Sequence, residues 1–331
     1  MMRLPAFSYH RPKEPGEACA LLAEHGPEAA FVGGGTDIFP KLKRRQVEAK
    51  VLIGLREIEE LRGVRRNGGV AIGAGVPLAA LAVHPALEGA HAALARAAGM
   101  IASPQIRNAG TLGGNLCLDT RCNYYDRNAD WREAIGCCLK AGADVCRLAS
   151  GGSRCWAIST SDLAPVALVL EGSVRLIGAT GERLLPVVDL YRDDGADYLG
   201  KEPGEILAEL RLPASDGLRA TYLKLRRRAS IDFPLLGVAA AVRLDAEGTC
   251  TDARIALGAV ASLPFRVAAV EELLVGRRLD TEAIAEAAAE AAAVAKPMQN
   301  TDLTPAYRKR MVNVFVTRAL GELAEAGGAA I

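Results

Sequence analysis

The sequence has 331 residues, of which 50% are hydrophobic and 24% are charged. A chain of this length can bury its own core, and half-apolar content excludes a disordered or fibrous protein. Forty basic and thirty-nine acidic side chains nearly cancel, so no overall basic field indicates a nucleic-acid partner. Because neither a signal peptide nor an apolar run of roughly 18 residues is present, the sequence predicts a cytoplasmic protein outside the membrane.

The first half of the chain predicts a βαβ-like unit followed by a more irregular region. A helix is expected at 14–25, with short strands at 30–32 and 50–54, so that this unit occupies about the first 55 residues. A further strand is expected at 69–76. The stretch at 77–100 is alanine-rich and predicts helix.

The last third of the chain predicts an antiparallel sheet with helices, which places the protein in the α+β class. Glu247-Gly248 predicts a hairpin turn between the last two strands. Four strands are expected, at 206–212, 220–225, 237–244 and 253–260. Two helices are expected, at 281–296 and 306–322.

A run of three glycines follows the predicted strand at 30–32, within the sequence VGGGTDI at 32–38. Glycines permit positive φ and leave no Cβ in the way of a ligand, and successive backbone amides can form a concave anion site. This first glycine loop matches neither the Walker pattern nor GxGxxG. From the residues alone, a tight structural turn is an equally good interpretation.

The second glycine loop, SPQIRNAGTLGGN at 103–115, places short polar side chains among glycines. That composition suits the binding of a phosphate or of a polar ring edge. The alternative is an irregular corner held by hydrogen bonds between side chains and backbone. The polar side chains are Ser103, Gln105, Asn108, Thr111 and Asn115.

Two such loops about 70 residues apart resemble the FAD-binding medium subunits of the molybdenum hydroxylase family. This family includes xanthine dehydrogenase, carbon monoxide dehydrogenase and 4-hydroxybenzoyl-CoA reductase. The resemblance covers nearly the whole chain. It is carried by AFVGGGTDIFPKLK, IASPQIRNAGTLGGN, SDLAPVALVL, YLKLRRRASIDFPLLGVAAAV and ARIALGAVASLPFRV.

The resemblance implies a two-subdomain FAD-binding fold of the vanillyl-alcohol oxidase and p-cresol methylhydroxylase type, followed by an antiparallel sheet-and-helix domain. The N-terminal FAD-binding subdomain would cover 1–56. The second FAD-binding subdomain would cover 57–202, with a cysteine-rich insertion at about 119–158. The C-terminal domain, of the CO dehydrogenase flavoprotein type, would cover 203–331.

The resemblance also implies which residues bind FAD. The two glycine loops would hold its diphosphate, Asp162 would lie near the ribityl chain or ring, and Lys224 and Asp232 would flank the isoalloxazine. A lysine there would stabilise negative charge on a reduced flavin; the alternative is an ordinary solvated strand lysine. No catalytic residue is assigned. The expected cofactor-binding residues are Val32, Gly33, Gly34, Gly35, Thr36, Asp37, Ile101, Ser103, Asn108, Gly110, Thr111, Gly114, Asn115, Asp162, Lys224 and Asp232.

Residues 120–156 show little periodicity and contain five of the eight cysteines. The spacing, C-x14-C-C-x7-C-x8-C, lacks the CxxC pairs of zinc ribbons and bacterial ferredoxins. In a reducing compartment, however, clustered thiols indicate metal or redox chemistry more often than disulfides. Four thiolates are what a [4Fe–4S] cluster needs; a structural zinc site and unliganded buried thiols are the alternatives.

This insertion resembles the extra [4Fe–4S] loop of the 4-hydroxybenzoyl-CoA reductase medium subunit. Cys137 would be the spare thiol, and the preference for its neighbour rests on the resemblance alone. The ligands so implied are Cys122, Cys138, Cys146 and Cys155. The other three, Cys19, Cys117 and Cys250, are predicted to be core residues, with Cys117 close to the second glycine loop.

The function implied is that of the FAD and [4Fe–4S] electron-transfer subunit of a heterotrimeric molybdenum enzyme of the 4-hydroxybenzoyl-CoA reductase type, in anaerobic aromatic degradation. Ferredoxin would donate electrons. Partner subunits would carry molybdopterin and [2Fe–2S] centres, in a dimer of heterotrimers, and the chain would be active only in that complex. The alternatives are a medium subunit of an oxidative molybdenum hydroxylase, with a zinc or structural cysteine loop, and a flavin-free scaffold subunit.

Overall fold

The structure is a computed structural model and describes residues 3–325. Within that range the chain forms three β-sheets with helices packed against them, which confirms the predicted α+β class. None of the helices in this range combines the length and the apolar character that crossing a bilayer requires.

The first sheet is parallel and belongs to the N-terminal unit. Its strand order is β1-β3-β2, so the chain crosses over through a helix between successive strands, as parallel pairing requires. This arrangement confirms the predicted βαβ-like unit. Its elements are β1 (Ser8–His10), α1 (Pro15–His25), β2 (Ala29–Val32), α2 (Ile38–Lys43) and β3 (Val51–Gly54).

The second sheet is antiparallel, with the strand order β4-β5-β8-β6-β7. Its strands are β4 (Val64–Arg66), β5 (Gly69–Gly73), β6 (Ser173–Gly178), β7 (Gly181–Pro186) and β8 (Ile206–Pro213). Six helices lie between β5 and β6 in the sequence. They are α3 (Leu78–Leu81), α4 (Ala92–Gly99), α5 (Pro104–Ala109), α6 (Leu112–Leu116), α7 (Ala129–Ala134) and α8 (Leu163–Val169).

Strand β8 corrects one prediction from the sequence. We expected residues 206–212 in the C-terminal sheet, but β8 lies at the centre of the second sheet and pairs with β5 and β6. Ile206 and Ala208 pack into the N-terminal core, whereas Leu210 packs into the core of the second sheet. The first five residues of β8 are all buried, so both faces are covered, and such a pattern does not reveal which strands are its neighbours.

The third sheet, β12-β11-β10-β9, is antiparallel and is covered by the C-terminal helices. The predicted hairpin between β10 and β11 is confirmed, with Gly248 at a φ of +81° in the turn. The strands are β9 (Arg219–Leu225), β10 (Leu236–Leu244), β11 (Cys250–Gly258) and β12 (Phe265–Arg266). The helices are α9 (Ala268–Leu274), α10 (Thr281–Val294) and α11 (Pro305–Glu325).

Candidate functional site

A cavity of about 610 Å³ lies where the two glycine loops meet. Its size is within the usual range for small-molecule and cofactor sites. The expected residues that line it are Gly33, Gly34, Gly35, Thr36, Asp37, Ile101, Asn108, Gly110, Thr111, Gly114, Asn115, Asp162 and Asp232. Val32, Ser103 and Lys224 lie outside the lining. We call this space the large cavity.

The first glycine loop begins where β2 ends, and its glycines are required by close contacts. A Cβ on Gly34 would overlap the carbonyl oxygen of Ala109, at the end of α5. Gly35 has a φ of +75°, and a Cβ there would collide with the ring of Phe39. The backbone of the first loop therefore lies directly against that of the second. In the second loop the amides of Gly110, Gly113 and Asn115 donate to backbone carbonyls, so they fix the fold of that loop.

The polar side chains of the second loop are used mainly to fix its shape. The hydroxyl of Ser103 accepts from the Ile106 amide at the start of α5, and the hydroxyl of Thr111 accepts from the Gly114 amide at 3.1 Å. The side-chain oxygen of Asn115 accepts from the Ser161 hydroxyl at 2.8 Å and from the Leu163 amide at 3.1 Å. These hydrogen bonds from side chains hold the second loop in an irregular turn. That turn forms one side of the cavity.

Asp162, which lines the cavity, forms a buried ion pair with Lys224, which does not. Lys224 donates to its carboxylate at 3.0 Å and the Tyr222 hydroxyl donates at 2.8 Å. Burial raises the pKa of Asp162 and lowers the pKa of Lys224, although each charge partly offsets the effect on the other. The Lys224 side chain is fully buried, so it reaches the cavity only through Asp162.

Asp232 lies in the loop between β9 and β10, which borders the cavity. Its carboxylate accepts from the amide and the guanidinium of Arg228, and that hydrogen bonding holds the pKa of Asp232 below its usual value. The adjacent Ile231 has a φ of +71°, which is rare for a β-branched residue. Asp232 is therefore presented at the cavity by a constrained backbone.

Several cavity residues were not predicted from the sequence. Arg121 lines the cavity, and its guanidinium lies 3.6 Å from the ring centroid of Phe233 and 3.2 Å from the Asp37 carboxylate. Tyr198 and Lys201 enter from the loop between β7 and β8. That loop has no glycine run or repeat that would mark it, and Arg121 lies outside both glycine loops.

Residues 119–158, which we call the cysteine segment, leave and rejoin the fold at one point. Arg121 and Ile158 exchange two backbone hydrogen bonds of 2.8 Å, which close the base of the segment. Within it, Asn128 caps α7 and a short 3-10 turn covers Leu139–Ala141.

Four cysteines of this segment face one small cavity, which we call the cysteine cavity. They are Cys122, Cys138, Cys146 and Cys155, the four ligands expected from the resemblance, and all are buried. Cys137 is only partly buried and does not line the cavity. The structure thus distinguishes the neighbouring residues that the sequence could not.

Burial in the cysteine cavity favours the protonated thiol. It raises the pKa of Cys122 to about 12 and also raises the pKa of Cys155. All eight cysteines are unpaired. Among residues 3–325, no three His, Cys, Asp or Glu side chains surround a position suited to one metal ion.

The three remaining cysteines lie in two settings. Cys19 and Cys250 are buried in separate hydrophobic cores, as predicted. Cys117 packs partly against the core and also lines the large cavity, beside the second glycine loop.

Comparison with known proteins identifies the family. Residues 5–215 match the model of the FAD binding domain in molybdopterin dehydrogenase, and residues 220–323 match that of the CO dehydrogenase flavoprotein C-terminal domain. The chain belongs to this family of FAD-binding subunits. Its predicted fold class is thereby confirmed at the level of the family.

Individual relatives agree with that assignment. The chain is 35% identical to the aldehyde oxidoreductase FAD-binding subunit PaoB of Escherichia coli, over 82% of this chain and 86% of that protein. It is 30% identical to the carbon monoxide dehydrogenase medium chain of Hydrogenophaga pseudoflava, with 96% of each covered. A solved carbon monoxide dehydrogenase structure from that organism matches with a TM-score of 0.80 and 30% identity, over 98% of this chain and 99% of the other.

These comparisons support the expected family but not the specific member of it. The family is the one expected, but the two relatives and the solved structure named here belong to an aldehyde oxidoreductase and to carbon monoxide dehydrogenase. The specific resemblance to 4-hydroxybenzoyl-CoA reductase, and with it the ferredoxin donor, gains no support from them.

Proposed function

We propose that this chain is the medium subunit of an oxidative molybdenum hydroxylase complex, and that it holds FAD in the large cavity. The observation that carries the proposal is the meeting of the two glycine loops at a cavity of about 610 Å³. The family model that covers residues 5–215 supports the same cofactor.

The residues around the large cavity suit FAD. Three consecutive glycines of the first loop line the cavity, and the backbone amides of such a loop can hold a diphosphate without a dedicated cationic side chain. Arg121, Lys201 and Arg56 add positive charge to the lining. Apolar residues from several elements, among them Ile101 and Phe233, would exclude water from a flat ring.

When bound, FAD can exchange two electrons with carriers that take one at a time. This chain contributes the shape and charge of the site. Asp162 is fixed by Lys224 and Tyr222, so its carboxylate cannot swing into the cavity. Asp232 is held by Arg228 in the same way. Both residues line the cavity, and the positions of their carboxylates are fixed by these neighbours.

The relatives favour the oxidative direction. We infer a complex in which a molybdopterin-binding large subunit oxidises the substrate, a small subunit carries [2Fe–2S] centres, and this chain holds the flavin for transfer to an acceptor. The named aldehyde oxidoreductase and carbon monoxide dehydrogenase relatives support this direction. The reductive direction, with ferredoxin as donor, is the outcome that the experiment must distinguish.

The test is to isolate the complex anaerobically through an affinity tag on this chain. We expect extracted FAD, two co-purifying subunits, and bleaching of the flavin spectrum when an aldehyde or another oxidisable substrate is added. Reduction of the flavin by ferredoxin, followed by reoxidation with an aromatic CoA thioester, would instead establish the reductive direction. Absence of flavin from the native complex would exclude both readings.

We further propose that the cysteine cavity holds a [4Fe–4S] cluster. The supporting observation is that four buried cysteines, drawn from 34 residues of sequence, face one small space while Cys137 does not. Four thiolates are the donor set of such a cluster, which supplies one-electron transfer. A single zinc ion held by the same thiolates, at about 2.3 Å, is the alternative that metal analysis distinguishes.

Metal and sulfide analysis of the anaerobically purified complex tests the second proposal. After subtraction of the iron expected for two [2Fe–2S] centres, we expect about four irons and four acid-labile sulfides per copy of this chain. Zinc without sulfide would support the structural-loop alternative. If the complex contains no zinc and no iron beyond that of the [2Fe–2S] centres, the four thiols are packed without a metal ligand.

A further inference from the structure

The two cavities are separated by a wall formed by the start of the cysteine segment. Arg121 lines the large cavity, and the next residue, Cys122, lines the cysteine cavity. The backbone here is extended and pairs with Ile158, so successive side chains point to opposite sides. The two proposed cofactor sites are thus joined by consecutive residues of one strand-like segment.

Lys140 is buried in the same wall. Its side chain is 6% exposed, and its ammonium donates to the Asp119 carboxylate and the Thr120 hydroxyl, each at 2.6 Å, and to the Gly195 carbonyl. It lies 5.1 Å from the ring centroid of Tyr125, which is in the cysteine segment. On the other side it lies 5.0 Å from the ring centroid of Tyr198, which lines the large cavity.

A chain of ion pairs continues from Lys140 to the first glycine loop. Asp119 also binds Lys41 at 2.5 Å, and Lys41 binds Asp37 at 3.0 Å. Asp37 in turn binds Arg121. Burial raises the pKa of Asp119, but Lys140 and Lys41 together outweigh that effect and hold it below its usual value. The carboxylate therefore stays charged, and the network links the two cavity linings.

We propose that Lys140 is a positioning residue that sets the reduction potentials of both centres from within their shared wall; this rests on the proposed function. Each added electron places negative charge next to the wall. In this buried environment its electrostatic interaction with a nearby fixed charge is stronger than it would be in water. Lys140 balances Asp119, so its removal leaves the wall more negative. Reduction on either side then becomes less favourable.

The experiment compares Lys140→Met with Lys140→Arg in the purified complex, with Lys43→Met as a matched control. Lys43 is exposed on α2, the helix that carries Lys41. FAD and iron contents are measured first. The ratio of reduced to oxidised flavin is then measured at fixed ambient potentials, and the reduction of the cluster is followed by electron paramagnetic resonance.

For Lys140→Met we expect the reduced-to-oxidised ratio to fall at least tenfold for the flavin, which is about 30 mV for a two-electron couple, and tenfold for the cluster, which is about 59 mV. Lys140→Arg and Lys43→Met should stay close to wild type. Unchanged ratios in Lys140→Met, with both cofactors retained, would overturn the proposal and leave the proposed function intact.

Asp119→Asn provides the second variant, in case Lys140→Met fails to fold. It removes a negative charge from the same pair, so the flavin ratio should rise. A fall, or no change, would show that the contacts at Lys140 are merely structural. A wild-type complex that lacks FAD or this cluster would contradict the proposed function instead.

Discussion

The large cavity and the cysteine cavity lie on opposite sides of residues 119–122, but different parts of the chain form their linings. Backbone dominates the first, because two glycine loops meet there and most of their polar side chains are already used to hold the loops in shape. Side chains dominate the second, where four thiols face a small space. A backbone site depends on the absence of side chains, and a thiol site depends on their presence. Substitutions should therefore damage the two sites by different physical routes.

The largest effect should come from Cys138→Ser, because it removes one of the four proposed ligands. We expect this variant to lose most of the iron assigned to this chain and its cluster signal, while its FAD content stays near that of the wild type. Iron, sulfide and flavin analysis of the anaerobically purified complex measures all three.

The matched control is Cys137→Ser, which changes the neighbouring thiol that does not line the cysteine cavity. It should keep its iron. Loss of iron from Cys137→Ser and its retention in Cys138→Ser would reverse the ligand assignment, and retention in both would remove the case for a cluster.

Lys224→Met should have the next largest effect, which is a loss of stability of the folded chain. It leaves the buried Asp162 carboxylate without its counter-charge, and breaking a buried pair in this way costs about 3–5 kcal/mol. Denaturant unfolding should show a loss of that size. Lys296→Met, at an exposed position, is the control, and equal stability of the two variants would show that the pair contributes little.

A smaller loss is expected for Gly34→Ala. The added Cβ meets the Ala109 carbonyl, and overpacking of this kind costs about 1–3 kcal/mol. Because both atoms belong to the folded chain, denaturant unfolding should show a loss of that size, with the iron content unchanged. Gly16→Ala is the control, because nothing lies within 4 Å of its added Cβ; equal stability of the two variants would contradict the close approach of the loops.

The smallest effect concerns His91, which lies in the wall of neither cavity. Burial lowers the pKa of His91, so the unfolded chain takes up a proton at a higher pH than the folded one. Stability should therefore decline as the pH falls below about 6.5, the ordinary value for histidine. His91→Gln should flatten that decline in thermal unfolding measured between pH 5 and 7. An unchanged pH profile would assign the decline to other groups.

The backbone site could be predicted from the sequence because its glycines are consecutive and follow a strand. The first glycine loop, including Asp37 at its end, lines the large cavity as expected. Lys224 shows the limit of this approach: the resemblance placed it near the flavin, but the structure places Asp162 between it and the cavity. Which of two buried partners faces a cavity depends on packing that no local pattern records.

The contacts that hold the cysteine segment could not be predicted, because they join distant parts of the chain. The Asn300 side chain donates to the Trp156 carbonyl at 2.7 Å, and the Asn300 carbonyl accepts from the Asn123 amide. Arg308 is fully buried and donates to the Leu235 carbonyl and, at 3.4 Å, to the Asn300 side-chain oxygen. Nothing in the spacing of these residues indicates the contacts, since they join the segment to the loop between α10 and α11.

The central claim is that this chain holds two redox centres on either side of one wall. An anaerobic reductive titration measures how many electrons the complex takes up. Comparison with the complex that carries Cys138→Ser separates the electrons taken up by the flavin from those taken up by the cluster. We predict that the wild type takes up about three electrons in this chain, two at the flavin and one at the cluster, and that the variant takes up about two. Equal electron uptake by the two complexes, with full FAD in both, would contradict the claim.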